Sequence, residues 1–346
     1  MIKAGIVGAT GYAGEELVRI LVMHSEVEIV GITSNSFAGE DISKVYPNLN
    51  GCINMKCESF EEIVGKCDVI FAALPHGLSE DIALECDKKG VVFIDLGADF
   101  RLTTEEDYKQ WYGLDYKYKE LHEKSQYGLC EIHKEAIKKS KVIANPGCYP
   151  TSITLGLAPV LKNKLIDIKS IIADSKSGVT GSGRGLSLGA HYPECNDSIK
   201  AYKVASHRHV PEIEQELSNL AGEKVMINFT PHLTPMNRGI LSTIYCNVLD
   251  DKAVKLEEII NLYKEFYKNN KFVRVLEAGS LPETKNVRCS NYCDIGIVLD
   301  ERTNRLIIVS AIDNLFKGAA GQAVQNMNLV FGLPEDTGLK YIPSSL

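Results

Sequence analysis

The segment Gly8-Ala9-Thr10-Gly11-Tyr12-Ala13-Gly14 joins a strand-like run, Lys3–Gly8, to a helical pattern, Gly14–Met23. A strand that passes through a glycine turn straight into a helix admits few folds. The glycines allow a tight turn and close approach of the main chain to a pyrophosphate, which then rests on N–H groups at the helix start. The spacing G-x-x-G-x-x-G is a variant of the usual dinucleotide fingerprint. Gly8, Thr10, Gly11, Tyr12, Ala13 and Gly14 are therefore expected to hold a dinucleotide. The alternative is a turn of purely structural use.

The same alternation continues downstream. Val27–Thr33, Val69–Ala73, Val91–Leu96 and Lys141–Ala144 read as strands, with a helix over Leu78–Lys89. Strands separated by helices predict βα units and a parallel sheet. Residues 104–127, rich in Tyr, Lys and Glu, read as a surface helix plus loop without chemistry. Past residue 148 the strands come closer together: Ser170–Asp174, Val225–Thr230, Gly239–Val248, Cys293–Leu299 and Arg305–Ile312. The last two flank Asp300–Asn304 and predict a hairpin. Helices are expected at Pro211–Ala221, Ala253–Asn269 and Leu315–Phe331. At 346 residues the chain exceeds one ordinary core, and its 45% hydrophobic content can fill two. The expected class is α/β: an N-terminal Rossmann-type parallel sheet, then an α+β domain with a mixed sheet.

Composition narrows the function. A net charge of −7 with no basic tract predicts no nucleic-acid partner. No apolar stretch approaches membrane-spanning length, so no membrane partner is expected. The N-terminus enters a strand pattern at once, which predicts a cytoplasmic protein. The ten cysteines are scattered without a C-x-x-C, which suggests neither a disulfide framework nor a metal site.

Cys148 stands apart from the others. It lies in Asn145-Pro146-Gly147-Cys148-Tyr149-Pro150-Thr151, between the apolar run Val142–Ala144 and the apolar stretch Ile153–Leu161. Pro150 suits the first turn of a helix, where its missing N–H removes no intrahelical bond. The thiol is thus expected at a strand-to-helix junction, over a helix N-terminus that favours the nucleophilic thiolate. A buried, inert cysteine is the alternative. His207-Arg208-His209 precedes another helix, with Pro211 in its first turn. At the helix start the positive dipole end disfavours an imidazolium, so His209 suits general acid/base work near neutral pH. Glu212 is placed to orient its ring, and Arg208 between two histidines suits an anionic substrate. A solvent-facing basic turn is the bland reading.

The second strand ends at Thr33-Ser34-Asn35-Ser36, where an NAD-binding unit usually carries a carboxylate. Ser34 and Asn35 do not repel a 2′-phosphate, which favours NADP. Asp174–Arg184 mixes Gly, hydroxyl and cationic residues and reads equally as an anion-binding nest or a mobile loop. Arg101 and Arg238, single cations at strand edges, read by themselves as ion-pair partners.

Together these motifs resemble the family of N-acetyl-γ-glutamyl-phosphate reductases of arginine biosynthesis, relatives of the aspartate-semialdehyde dehydrogenases. The matching segments are Gly8–Gly14, Thr33-Ser34, Leu74-Pro75-His76-Gly77, Asp99-Phe100-Arg101-Leu102, Asn145–Thr151, Lys176-Ser177-Gly178, His207-Arg208-His209, Pro231–Gly239 and Asp313–Ala323. They span nearly the whole chain, and Asn145–Thr151 is the specific one. Asn35 departs from the pattern, in which an Arg often follows the Ser. The resemblance implies an NADP(H)-binding domain over residues 1–147 and a catalytic and oligomerisation domain over 148–315. A C-terminal helix, 316–346, would return to the first domain. It extends the expected cofactor contacts to Pro75, Ser177 and Gly178, with Gly318 and Asn326 near the nicotinamide half. Substrate contacts would come from Arg101, Asn145, Ser175 and Lys176, and from Arg184, His207, Arg208 and Glu212. The implied reaction is capture of an acyl phosphate by Cys148, loss of inorganic phosphate, reduction of the thioester and protonation by His209, with His207 as the alternative acid/base. The implied assembly is a homodimer or homotetramer. The competing readings are an aspartate-semialdehyde dehydrogenase, which would act on a substrate one methylene shorter, and an NADP-binding sensor without chemistry. Only the first needs a thiol at this junction.

Overall fold

Three short runs, Val69-Ile70-Phe71-Ala72, Val92-Phe93-Ile94-Asp95 and Val142-Ile143-Ala144, are buried at every position. Such runs suit the interior of a parallel sheet covered on both faces. They form the right half of a seven-stranded sheet in a computed structural model that describes residues 1–250 and 254–344. Its strands are β1 (Ile2–Val7), β2 (Val27–Thr33), β3 (Cys57–Glu58), β4 (Val69–Ala72), β5 (Val92–Asp95), β6 (Ser125–Tyr127) and β7 (Val142–Ala144). They lie in the order β3-β2-β1-β4-β5-β7-β6, all parallel. From β1 the chain winds outward in both directions, so the carboxyl end of β1 is a topological switch point. The Gly8–Gly14 turn stands there.

The chain divides into two units. The first comprises Met1–Pro146 and Ala319–Lys340; the second comprises Gly147–Gly318 and, among the described residues, 341–344. Of the segment 316–346 expected to return to the first unit, 319–340 group with it, while 316–318 and 341–344 group with the second. The second unit carries β8 (Ile172–Gly178), β9 (Lys200–Ala201), β10 (Asn228–Thr234), β11 (Ile240–Asn247), β12 (Val273–Val275), β13 (Cys293–Asp300) and β14 (Arg305–Ile312). Their order is β12-β13-β14-β11-β8-β10-β9, with β8–β10 and β12–β13 parallel and the other pairs antiparallel. β13 and β14 form the expected hairpin, pairing Asp300 with Arg305. In β11, Ile240, Ser242, Ile244 and Cys246 are buried, while Leu241, Thr243, Tyr245 and Asn247 are half-exposed. That period of two is the signature of a sheet with one covered face.

The cover on that face is the helix Cys148–Lys162, buried from Tyr149 to Leu161. It contains Pro159, whose missing N–H would otherwise donate to Leu155 O. The hydroxyl of Tyr267 donates to that carbonyl instead, at 2.5 Å, from the neighbouring helix Leu256–Tyr267. The residue opening the expected version of that helix, Ala253, lies outside the described residues. Tyr263 donates to the adjacent Gly156 O at 2.6 Å, a carbonyl that Val160 N can also satisfy by ordinary helix geometry. Tyr267→Phe should therefore cost about 1–3 kcal/mol, the range for a buried group left unpaired, and Tyr263→Phe clearly less. Urea unfolding of the two variants checks this; equal losses would show that Pro159 sets no special demand.

Candidate active site

In the first unit the glycine turn is built by close contacts. Gly8 has φ of +85°, and a Cβ there would stand 2.5 Å from Ala73 O. A Cβ on Gly14 would stand 2.2 Å from Gly8 O. No other residue fits either place. The helix Tyr12–Val22 begins at once, and its first bond outside the turn runs from Glu15 N to Gly11 O at 2.8 Å. The N–H groups of Tyr12, Ala13 and Gly14 precede that bond and face the switch point, as an anion requires. Thr10 and Ser34 share a hydrogen bond of 2.6 Å between their hydroxyls, and Tyr46 donates to Thr10 O at 3.0 Å. Ser34 is thus a buried brace of the turn, while Asn35 is exposed beside it with no carboxylate between them. These residues fit a dinucleotide.

The loops after β4 and β5 are clasped together. Asp99 accepts from Gly77 N at 2.6 Å, Ser79 N at 2.9 Å and the Tyr108 hydroxyl at 2.8 Å. Tyr108 is completely buried and stacks on Tyr112, so segment 104–127 does more than cover the surface. Burial first, then the nearby Asp99, pushes the Asp95 carboxyl up to about 7. Pro75 is exposed on the first of these loops. Arg101, on the second, is buried and donates to Asn145 O at 2.9 Å and Leu96 O at 2.8 Å.

In the second unit Cys148 opens its helix, with Gly147 as the capping residue. From Val142 to Leu161 every residue is buried except Cys148, which is half-buried. Glu212, completely buried, accepts from Gly147 N at 2.7 Å. The N–H groups of Cys148 and Tyr149 precede the first intrahelical bond, Thr151 N to Gly147 O at 3.0 Å, and Pro150 has none. His209 caps the helix Val210–Ala221, with Pro211 in its first turn. The Tyr149 ring meets His207 and His209 edge-on, with centroids 5.6 and 5.9 Å away, and its hydroxyl bonds with that of Tyr202 at 3.1 Å and with Ser177. The cysteine turn and the histidine turn are therefore neighbours. His207 Nδ1 accepts from His209 N at 3.1 Å. Burial, helped by His209, Lys203 and Arg208, drives the His207 ring down to about 2, so it stays neutral.

Several expected contacts fall elsewhere. Lys176-Ser177-Gly178 is not loop: β8 runs on to Gly178, because its buried hydroxyls find partners in the sheet. Ser175 is completely buried and donates to Ser242 at 2.8 Å, which withdraws it from any substrate. Lys176 lies on the opposite face of β8, paired with Asp174 at 2.7 Å. Asn145 is completely buried, its amide donating to Ala319 O and its carbonyl oxygen accepting from Asn326, each at 3.0 Å. Asn326 also donates to Gly128 O and accepts from the Cys130 thiol, so its reach is through Asn145. Glu212 holds main chain instead of lying open to substrate. Arg184 is exposed after the short 3₁₀ turn Val179–Ser182. Gly318 packs on Cys148 itself. Tyr202 had no sequence signal of its own, and Asp313 had only its place at the head of the segment Asp313–Ala323. Tyr149 lay within the cysteine motif, and its neighbours gave no hint of its ring contacts.

The semialdehyde dehydrogenase NAD-binding domain model matches residues 3–140, and the semialdehyde dehydrogenase dimerisation domain model matches residues 148–314. The chain is 56% identical to the N-acetyl-gamma-glutamyl-phosphate reductase of Brachyspira hyodysenteriae and 55% identical to that of Clostridium botulinum, covering 99% of each chain in both cases. Its fold is similar to aspartate semialdehyde dehydrogenase II of Vibrio cholerae, with a TM-score of 0.74 at 16% identity over 96% of this chain and 98% of that one. The NADP-bound aspartate semialdehyde dehydrogenase of Candida albicans gives 0.73 at 17% identity over 96% and 99%. With the two family models together matching most of the chain and relatives more than half identical over 99% of it, the chain belongs to the semialdehyde dehydrogenase family.

Proposed function

We propose that this chain reduces N-acetyl-γ-glutamyl phosphate to N-acetylglutamate 5-semialdehyde and phosphate with NADPH, the first unit binding the dinucleotide and the second performing the chemistry. The reaction is the one named for the full-length relatives. The observation that carries the mechanism is Cys148, half-exposed at the first helical position in a stretch otherwise buried from Val142 to Leu161. Gly8, Tyr12, Ala13 and Gly14 hold the pyrophosphate, and the absence of a carboxylate near Ser34 and Asn35 leaves room for a 2′-phosphate. When bound, the dinucleotide supplies a hydride to the thioester carbon.

Cys148 loses its proton to His209 and attacks the acyl carbon. The carbon–sulfur bond forms, the carbon–oxygen bond to phosphorus breaks and phosphate leaves. After reduction the oxyanion faces the N–H groups of Cys148 and Tyr149. His209 returns its proton as the carbon–sulfur bond breaks and the aldehyde departs. His207, held neutral, accepts from His209 N and sets that ring's place. Tyr149 packs against both rings. The runner-up substrate, aspartyl phosphate, is one methylene shorter; assays with both acyl phosphates separate the two. The half-exposed face of the second unit's sheet, with Leu241, Tyr245 and Ile307, suits burial against a second copy as a homodimer or homotetramer, and the matched dimerisation model supports this. Among the described residues no helix is long and apolar enough to cross a membrane, which suits a cytoplasmic enzyme.

Cys148→Ser should abolish nearly all turnover while NADP still binds, as read by phosphate-dependent NADP reduction with the semialdehyde and by cofactor fluorescence. Wild-type turnover in that variant would end the covalent mechanism. His209→Ala should lower kcat by about 10²–10⁴, the usual worth of a general acid/base, and His207→Ala should leave the neutral-pH titration of kcat in place. The reverse pattern would exchange the two roles. The depressed His207 value also has a stability consequence. Below about 6.5 the unfolded chain takes up a proton on this ring that the folded chain refuses until about 2. Stability from this group is present above 6.5 and is lost as pH falls. The slope approaches about 1.4 kcal/mol per pH unit for one proton. Urea unfolding at several pH values should show a shallower acid slope for His207→Gln than for the parent; parallel slopes would mean the ring is protonated in the folded state.

A further inference from the structure

Asp313 is completely buried at the end of β14, yet its carboxylate gathers donors from three separate segments. Oδ1 accepts from Leu315 N and Phe316 N, both at 2.9 Å, and from Arg238 Nη2 at 3.0 Å. Oδ2 accepts from Arg238 Nε at 2.9 Å and Cys289 N at 2.7 Å. The Asp313 carbonyl accepts from Gly318 N at 2.9 Å, closing a π-type turn over Phe316–Ala320. Such turns are rare and collect at functional sites. This one bears on the thiol residue: a Cβ at Gly318 would stand 2.7 Å from the Cys148 Cβ and 3.1 Å from its Cα. The segment that supplies Arg238 also holds the end of β8. Val179 N and Thr180 N donate to Met236 O and Asn237 O at 2.9 and 3.2 Å, and Gly239 N donates to Asn314 Oδ1 at 2.7 Å.

We propose that Asp313, gripped by Arg238, is a positioning residue for Cys148: it fixes the turn whose Gly318 determines where the thiol stands. The proposal rests on the reading of Cys148 as nucleophile. The two-pronged ion pair and three main-chain donors hold the carboxylate in one orientation, in a place that water does not reach. Replacing the carboxylate by an amide removes the counter-charge of Arg238 and slackens the turn. A shift of the thiol by a fraction of an ångström then misplaces attack without removing any group that touches substrate.

The test uses the full-length protein and iodoacetamide as probe, with alkylation at Cys148 followed by peptide mass mapping across pH, beside kcat and KM. Asp313→Asn should fold, shift the pH profile of Cys148 alkylation and lower kcat on the order of 10²-fold, with KM moving much less. Arg238→Lys, which keeps the charge and loses the fork, should fall between the two. Gly318→Ala leaves the ion pair intact and should shift the same alkylation profile; if Asp313→Asn does not fold, this variant decides alone. Folded variants with the parent's alkylation profile and kcat overturn the positioning role while inactivation of the parent by alkylation upholds the nucleophile. A parent that keeps full turnover once Cys148 is alkylated overturns both.

Discussion

One hydrogen bond, from Gly147 N to the buried Glu212 carboxylate, governs how the thiol is presented. A helix begins with donors that have no partner in the helix. Here the capping residue's donor is spent on Glu212, the next two belong to Cys148 and Tyr149, and Pro150 contributes none. The field of the helix start is thereby concentrated on the residue that opens it, Cys148. Glu212 occupies the first turn of its own helix, Val210–Ala221, where a carboxylate is favoured. The same bond joins the two helix starts, so Cys148 and His209 are set by one contact instead of two independent loops.

The sequence was legible wherever a local rule had only one solution. The Gly8–Gly14 turn, the strands on either side of β1 and the capping position of His209 follow from glycine geometry, buried apolar runs and Pro211. Cys148 was legible for a related reason, since Pro150 suits a first turn, where its missing N–H removes no intrahelical bond. Legibility ended where a polar residue's partner lies far along the chain. Ser175, Asn145 and Glu212 were expected at the substrate through the family resemblance, and nothing near them in the chain points to the partners they have. Their partners, Ser242, Ala319 with Asn326, and Gly147, are 65 or more residues distant. The place of Lys176 depends on parity: β8 extends to Gly178, and alternation puts its side chain on the face opposite Ser175. Arg238 was read by itself as an ion-pair partner, and Asp313 is that partner.

His207 and His209 show how two rings one residue apart meet different surroundings. Both rings lie against Tyr149, and one residue separates them in the chain. His207 is ringed by Tyr149, Tyr202 and Phe229, with Lys203 and Arg208 close enough to repel a proton. His209 sits at the helix cap, where its own N–H is already engaged by His207. An acid/base needs a ring that can change charge during turnover. The aromatic cage denies that to His207 and turns it into a fixed acceptor.

The helix that carries Cys148 meets its sheet through hydroxyls as well as hydrocarbon. Ser152 bonds with Ser242 at 3.0 Å and Ser310 at 3.1 Å, Ser175 donates to Ser242 at 2.8 Å, and the Cys293 thiol lies 3.4 Å from the Ser310 hydroxyl. All five are completely buried. An apolar seam could slide by a rotamer at little cost, whereas each displaced hydroxyl here strands a partner without water to replace it. The network spans β8, β11, β13 and β14 and reaches the helix at Ser152, one turn beyond Cys148. Directional bonds at that point fix both the height of the helix over the sheet and its rotation about its axis. Rotation is the quantity that sets how far the first residue is uncovered, so a buried polar seam, costly to build, serves Cys148, the one half-buried residue between Val142 and Leu161.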